Sequence, residues 1–464
     1  LLPGCYLHFQ ISRWAITDMA MNFFILLAFY FFICGFQDKS GRSTPYYLAY
    51  FCMGVGFMIK GPAALLIPGF VIGGFILILR DWNKLSQLRI IHGMGILMAI
   101  ILPWFITMLF IHGDEFKNHI LGAELRDRIV HDIPFSFYYF GVILRYYLPW
   151  SLFFIIALAV QFGFTSINSG EGLEKQDLIS SLKNNFKVCC HELTQKNQAI
   201  LFCLLWIACP LLTFSLFRIE HSRYMLPISP AFTMITAYFF SQLLDSSSGF
   251  QRNIFKIPFY LTGLFYGLIG ILLGTSILLL NPVFNAPLGL MSLPILILCG
   301  LVLLFLFYKS KKYFSTIVTL GIIQIAIFTL LSGDALSFFN RYPMKAFANK
   351  ILADSEANLK IGLYKLGNHR ARMGVLTGHP SIYLNNPDEL NTFIQSEKNA
   401  YIVMRQSDWK NQFSELPVIA QATDSSWKKQ KNKVKIKLIL KNGIKPYLAE
   451  YSENYVLLKL KDEE

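Results

Sequence analysis

The chain has 464 residues, of which 54% are hydrophobic and only 15% charged. Soluble domains carry about 25% charged residues, so a soluble globular fold is excluded and an integral membrane protein is expected. The formal net charge of +14 would point to nucleic acid in a soluble chain. Here it reads as cytoplasmic-loop charge and contact with anionic lipid headgroups, and no nucleic-acid partner is assigned.

Residues 1–11 read like the tail of a membrane span, and further spans are expected upstream of Leu1. A membrane helix needs about 20 mostly apolar residues. Segments of that kind lie near 15–36, 43–59, 61–80, 90–112, 147–165, 197–216, 224–243, 257–281, 290–308 and 314–332. The pair flanking Lys60 is predicted to be a hairpin that turns at Lys60-Gly61-Pro62, where glycine and proline interrupt helix. The eight cysteines fall in apolar spans or one basic loop, without metal-ligand spacing.

Alternate loops carry scattered basic residues: Lys39 and Arg42, then Arg80, Lys84 and Arg89, then Lys175 to Lys196, and later Arg252, Lys256 and Lys309 to Lys312. By the positive-inside rule these face the cytoplasm. The opposite loops, 113–146, 217–223 and 282–289, then lie outside, richer in acids, prolines and aromatics. The tail emerges on that same outer side.

Two domains are expected: a membrane domain over 1–344 and a soluble α/β domain over 345–464. In the tail, Lys360–Leu366, Met373–Leu376, Tyr401–Met404, Val418–Ala420, Val434–Leu440 and Tyr455–Leu460 read as strands. Asp388–Gln395 reads as a helix announced by Asn386-Pro387. Trp427–Lys445 is a lysine-rich hairpin candidate with Asn442-Gly443 at its turn. Lys433, Lys435 and Lys437 share one strand face there. They serve either as guards against edge pairing or as contacts to anionic headgroups.

The informative charges are those on the disfavoured side. Arg13, Lys60, Arg126, Arg128, Arg218 and Arg223 all fall at outer ends of apolar helices, which calls for an anionic ligand such as a phosphate at the membrane surface. Asp18, at the outer end of the first complete span, is either a helix cap or a carboxylate facing a polar cavity, where it could pair with a lysine. Lys60 either snorkels to the headgroups or meets a phosphate or carboxylate. Arg126 and Arg128 lie in the long outer loop, and a guanidinium suits bidentate phosphate binding. His112, His119 and His131 in that loop could hold a divalent cation, but their spacing fits no recognised ligand pattern, so no metal ligand is assigned. The densest signal is Arg218-Ile219-Glu220-His221-Ser222-Arg223-Tyr224, on one very short connection.

Taken in order, these segments resemble the glycosyltransferase-C superfamily. The nearest branch is that of bacterial lipid A 4-amino-4-deoxy-L-arabinose transferases and dolichyl-phosphate-mannose protein mannosyltransferase-like enzymes. The residues that carry the resemblance are Arg13-x-x-Ile16-Thr17-Asp18-Met19, Lys60-Gly61-Pro62-x-Ala64-Leu65-Leu66, Leu102-Pro103-Trp104 and Pro134-Phe135-x-Phe137-Tyr138-Tyr139. Leu148-Pro149-Trp150-Ser151, Phe214-Ser215-x-x-Arg218 and Arg223-Tyr224-x-Leu226-Pro227 complete the set. Their order over residues 1–230 makes the match specific, although each motif alone is weak.

The resemblance implies an all-α polytopic membrane fold with a small extracytoplasmic domain, in a bacterial inner membrane with that domain periplasmic. It implies inverting transfer of a sugar from a polyprenyl-phosphate carrier to lipid A, another glycan or a protein. Lys60, Arg218, Arg223 and Tyr224 would line the lipid-phosphate site, with Asp18 in the same cavity; Asp18 and Lys60 are the candidate catalytic residues, and Arg126, Arg128, Arg218, Arg223 and Tyr224 the candidate phosphate-binding ones. Ala123 and Glu124 stand where many relatives have a His-Asn pair. The acidic motif of the first outer loop, whose aspartate is the family's proposed base, is expected upstream of Leu1. A transporter or flippase of a lipid-linked or anionic substrate is the rival class. It calls for charges near the midplane and inverted repeats, whereas these charges cluster at one face.

Overall fold

The computed structural model describes residues 1–14, 16–118, 137–162, 193–195, 197–216, 220–245, 249–284, 288–332, 343–353, 359–397, 399–424 and 453–460. By internal contacts the chain divides into two units, one of 1–267 with 300–328 and one of 268–299 with 329–464.

The first unit is a helical bundle. Helix α1 (Tyr6–Ser12) is followed by α2 (Asp18–Gln37), α3 (Thr44–Lys60), α4 (Ala63–Leu79), the short α5 (Trp82–Gln87) and α6 (Ile90–Asn118). Then come α7 (Tyr138–Tyr146), α8 (Trp150–Gln161), α9 (Gln198–Ser215), a 3-10 turn over Ser222–Ile228 and α10 (Ser229–Asp245). Helices α11 (Gly249–Phe284), α12 (Leu288–Lys309) and α13 (Tyr313–Leu330) follow; residues 268–284 of α11, 288–299 of α12 and 329–330 of α13 belong to the second unit. Among the described residues, every predicted apolar segment falls largely in helix. Six stretches are long and apolar enough to cross a membrane among the described residues. The helices α3, α4 and α10 have 17 residues each, near the lower limit for a span.

The segment predicted at 147–165 takes a different form. Helices α7 and α8 meet at 112° across a three-residue break at Tyr147–Pro149, as a broken span or a re-entrant loop does. Proline at the break cannot continue the helical ladder. Helix α6 also bends, at Gly113 (φ 50°, ψ −126°). Only 6% of the most apolar window in Trp82–Asn118 is buried within the protein, so this stretch offers most of its surface to lipid.

Lipid tails are as apolar as leucine side chains, so bundle helices associate through close packing rather than through the hydrophobic effect. Small residues mark the tight contacts. A Cβ on Gly56 would lie 2.9 Å from Ala64 Cβ across the α3–α4 hairpin. At the α3–α6 contact, a Cβ on Gly93 would run into the Tyr50 ring. Between α2 and α9 the filling is aromatic, with Phe29 centred 4.4 Å from Trp206 and 5.3 Å from Phe202.

In the second unit the tail forms a five-stranded sheet of order β2-β1-β3-β5-β4. Strands β1 (Lys360–Tyr364), β2 (Ser381–Leu384) and β3 (Ala400–Arg405) run parallel. The strands β5 (Glu453–Lys459) and β4 (Val418–Asp424) add antiparallel. Strands β1 and β3 are nearly continuous apolar runs, as a strand covered on both faces requires. On one face Ile361, Leu363, Tyr401 and Val403 pack against Phe347, Ile351 and Met373. These come from α14 (Pro343–Leu352) and α15 (Arg370–Thr377). On the other face Tyr364, Ile402 and Val456 pack against Leu390 and Phe393 of α16 (Pro387–Ser396).

The predicted α/β character of the tail holds, and so do the helix announced by Asn386-Pro387 and four of the strands. One prediction is corrected: Met373–Leu376 lies in α15 and is not a strand. Gly378 at φ 71° ends that helix in the left-handed conformation, a common helix stop, and the second strand falls just beyond, at Ser381–Leu384. Val434–Leu440 and the Trp427–Lys445 hairpin candidate lie outside the described residues.

Candidate functional site

The site assembles at one end of the bundle from three separate segments. The first is the start of α2. Asp18 is the first residue of that helix, and Thr17 before it makes no side-chain cap hydrogen bond, so the reading of Asp18 as a helix cap is set aside. Asp18 is instead 2% exposed and touches the Lys60 ammonium in an ion pair. A carboxylate buried this deeply requires such a partner.

The second segment is the hairpin. Lys60 is the last residue of α3, and Gly61 follows at φ 92°, ψ −153°. This backbone region is open essentially to glycine alone. The Gly61 N–H donates to the Phe57 carbonyl at 2.6 Å, and Pro62 precedes the first turn of α4. The predicted turn is therefore real, and it sets Lys60 opposite Asp18.

The third segment is the 3-10 turn Ser222–Ile228. The Tyr224 ring centroid lies 5.8 Å from Lys60 Nζ, and the ring stacks on Phe214 at 5.1 Å and 19°. Arg223 precedes it, with its Nε buried and no hydrogen-bond acceptor for that nitrogen among the described residues. Two aromatic side chains fix this turn, one from the break between α7 and α8 and one from α9. The Tyr147 hydroxyl donates to the Met225 carbonyl at 2.8 Å and lies 2.7 Å from Ser229 Oγ. Trp206 Nε1 donates to the Pro227 carbonyl at 2.8 Å. Both rings are buried, so these hydrogen bonds form where water does not compete.

Of the predicted site residues, the structure thus brings together Asp18, Lys60 and Tyr224, with Arg223 on the same turn as Tyr224. Arg13 has its guanidinium 5.4 Å from the Phe9 ring centroid. Arg126, Arg128 and Arg218 lie outside the described residues, as do His119 and His131. Among the described residues no three His, Cys, Asp or Glu side chains gather as a metal site would need. Sequence reasoning missed Tyr147 and Trp206, whose partners are distant in the chain, and read Phe214 only as part of a motif. It also missed Asn22, one helical turn from Asp18, which is 5% exposed with its Oδ1 unmet by any donor among the described residues.

Comparison with known proteins agrees with this architecture. The ArnT of Cupriavidus metallidurans bound to undecaprenyl phosphate superposes with a TM-score of 0.60 at 14% identity, over 100% of this chain and 78% of that one. The chain carries the glycosyltransferase-C fold. Residues 1–107 match the family model described as dolichyl-phosphate-mannose-protein mannosyltransferase. An uncharacterized protein of Aquifex aeolicus (strain VF5) is 26% identical over 231 residues, 49% of this chain and 39% of that protein. The undecaprenyl phosphate-alpha-4-amino-4-deoxy-L-arabinose arabinosyl transferase of Serratia proteamaculans (strain 568) is 26% identical over 274 residues, 57% of this chain and 42% of that protein. The chain thus spans about two fifths of the length of these two relatives. The glycosyltransferase-C resemblance drawn from the motifs stands, and Asp18 and Lys60 lie within the stretch matched by the family model.

Proposed function

We propose that the chain is part of a membrane glycosyltransferase that takes a sugar from a polyprenyl-phosphate carrier. The observation that carries this reading is that Lys60 meets Asp18 and the Tyr224 ring from separate segments at one end of an apolar bundle, with Arg223 beside Tyr224 in the chain. An anion-binding cluster needs such convergence, whereas helix ends that merely snorkel do not. Lys60 offers an ammonium steadied by Asp18, Arg223 a guanidinium nitrogen free of protein acceptors among the described residues, and Tyr224 a phenol.

In the proposed reaction an acceptor oxygen attacks the anomeric carbon, the bond from that carbon to the phosphate oxygen breaks, polyprenyl phosphate departs with that electron pair, and the proton of a hydroxyl acceptor passes to the departing phosphate or to solvent. Negative charge grows on the leaving phosphate as the sugar becomes oxocarbenium-like. Fixed positive groups lower this barrier because they act where solvent is largely excluded. Asp18, committed to Lys60, serves here as a positioning residue and not as the base. The acceptor, lipid A, another glycan or a protein, would approach from the periplasmic side of the inner membrane, and the sheet domain would lie on that side. Arg126, Arg128 and Arg218 are proposed to complete the phosphate contacts.

The test is release of sugar from undecaprenyl phosphate-alpha-4-amino-4-deoxy-L-arabinose by the full-length protein in membranes. Arg223→Ala is expected to lower turnover by about 10²-fold or more, the scale seen when one preorganised charge-stabilising donor is removed. Undiminished turnover in that variant would sink the assignment.

A further inference from the structure

Asn22 is the one strongly polar residue inside α2 between Asp18 and the far end of the helix at Gln37. Polar side chains within a membrane helix are costly and face the bundle interior or a cavity, where they mark substrate paths. Four residues separate it from Asp18, so it lies about 6 Å further along the axis and on the same helix face. Its side chain is buried, and its Oδ1 meets no donor among the described residues.

A buried carbonyl oxygen with no donor is costly unless a ligand or water satisfies it. It sits beside the proposed phosphate clamp but carries no charge, so it suits a neutral group attached to the phosphate and not the phosphate itself. We propose that Asn22 is a specificity-determining residue that accepts a hydrogen bond from a hydroxyl or amino group of the transferred sugar. This rests on the polyprenyl-phosphate reading above and extends it to how the sugar is chosen.

The experiment compares binding of undecaprenyl phosphate and of undecaprenyl phosphate-alpha-4-amino-4-deoxy-L-arabinose to the full-length protein and to Asn22→Leu. Leucine approximates the shape of asparagine but can neither accept nor donate. The advantage of the sugar-bearing lipid over the bare phosphate is expected to fall about tenfold or more. Affinity for the bare phosphate is expected to stay within about threefold. The ligand-free variant should melt no lower than the parent, because the substitution removes an unmet acceptor.

An unchanged advantage overturns the inference. So does a parallel loss of both affinities with a lower melting temperature, which would mark Asn22 as a packing residue. If the parent itself binds the sugar-bearing lipid no better than the bare phosphate, the sugar contact fails while the phosphate reading survives. If the parent binds neither lipid, both fall. Should Asn22→Leu fail to fold, Asn22→Ser, too short to reach the same group, is expected to show the same tenfold loss, and an unchanged ratio there refutes the proposal.

Discussion

Replacing Lys60 by methionine isolates what the ion pair does. Asp18 is 2% exposed and its partner side chain 21% exposed, so the carboxylate is desolvated and the ammonium only partly so. A contact pair contributes about 4 kcal/mol of attraction at an effective dielectric near 20, and removing one partner of a buried pair costs about 3–5 kcal/mol. Lys60 is partly exposed and solvent screens its charge, which holds the expected destabilisation at the low end, about 3 kcal/mol.

The double variant Lys60→Met with Asp18→Asn removes both charges and is expected to recover most of that stability. It is not expected to recover function. Sugar release should remain about 10²-fold down, because the phosphate still lacks its cation. Thermal melting of the detergent-solubilised full-length protein and sugar release in membranes supply the two axes of this cycle. Recovery of turnover along with stability would show that the pair is only a structural tie and would refute the argument. So would a single variant as stable and active as the parent.

Three further outcomes follow from other parts of the molecule. Gly61→Ala is expected to destabilise by about 1–3 kcal/mol. A Cβ there meets nothing within 4 Å, so Gly61→Ser should cost nearly the same, and a cost that grows steeply with side-chain size would contradict the backbone explanation. Tyr147→Phe strands the Met225 carbonyl in the interior, an expected loss of about 1–3 kcal/mol. It should also weaken undecaprenyl phosphate binding, read by titration, although Tyr147 itself is not placed at the ligand. In the sheet domain, Asn386 Oδ1 accepts from the Glu389 N–H at 2.9 Å, and Glu389 Oε2 accepts from the Asn385 N–H at 2.7 Å. Asn386→Ala is therefore expected to cost about 1 kcal/mol of stability, measured by the thermal melt of the full-length protein, with sugar release unchanged.

How far the sequence foretold this molecule depended on the distance between interacting residues. The Lys60-Gly61-Pro62 turn was legible because glycine and proline punctuate an apolar run locally. Asp18 and Lys60 were each visible as charges at apolar helix ends, and their pairing was one of the options those positions allowed. Arg223 and Tyr224 stood out because so short a connection has few residues to hide them.

By contrast, the tethers of the 3-10 turn span long sequence separations: Tyr147 and Met225 lie 78 residues apart. No periodicity within either segment marks such a contact. Asn22 was invisible for a different reason, since one polar residue in an apolar span is also what a satisfied packing residue looks like. Met373–Leu376 was misread because four residues are too few to separate a period of 3.6 from a period of 2. The glycine at 378 was the better clue there.

The lipid-facing stretch Trp82–Asn118 has one more consequence. With so little protein around it, its footing is set as much by the surrounding acyl chains as by Tyr50 and its other neighbours. From Ile90 to the bend at Gly113 it is about 34 Å long at 1.5 Å per residue, a few ångströms more than a hydrocarbon layer about 30 Å thick. In thinner membranes it must tilt further or lift its bend, and the segment running onward from Gly113 would move with it. Membrane thickness therefore acts on this helix directly, with no ligand required.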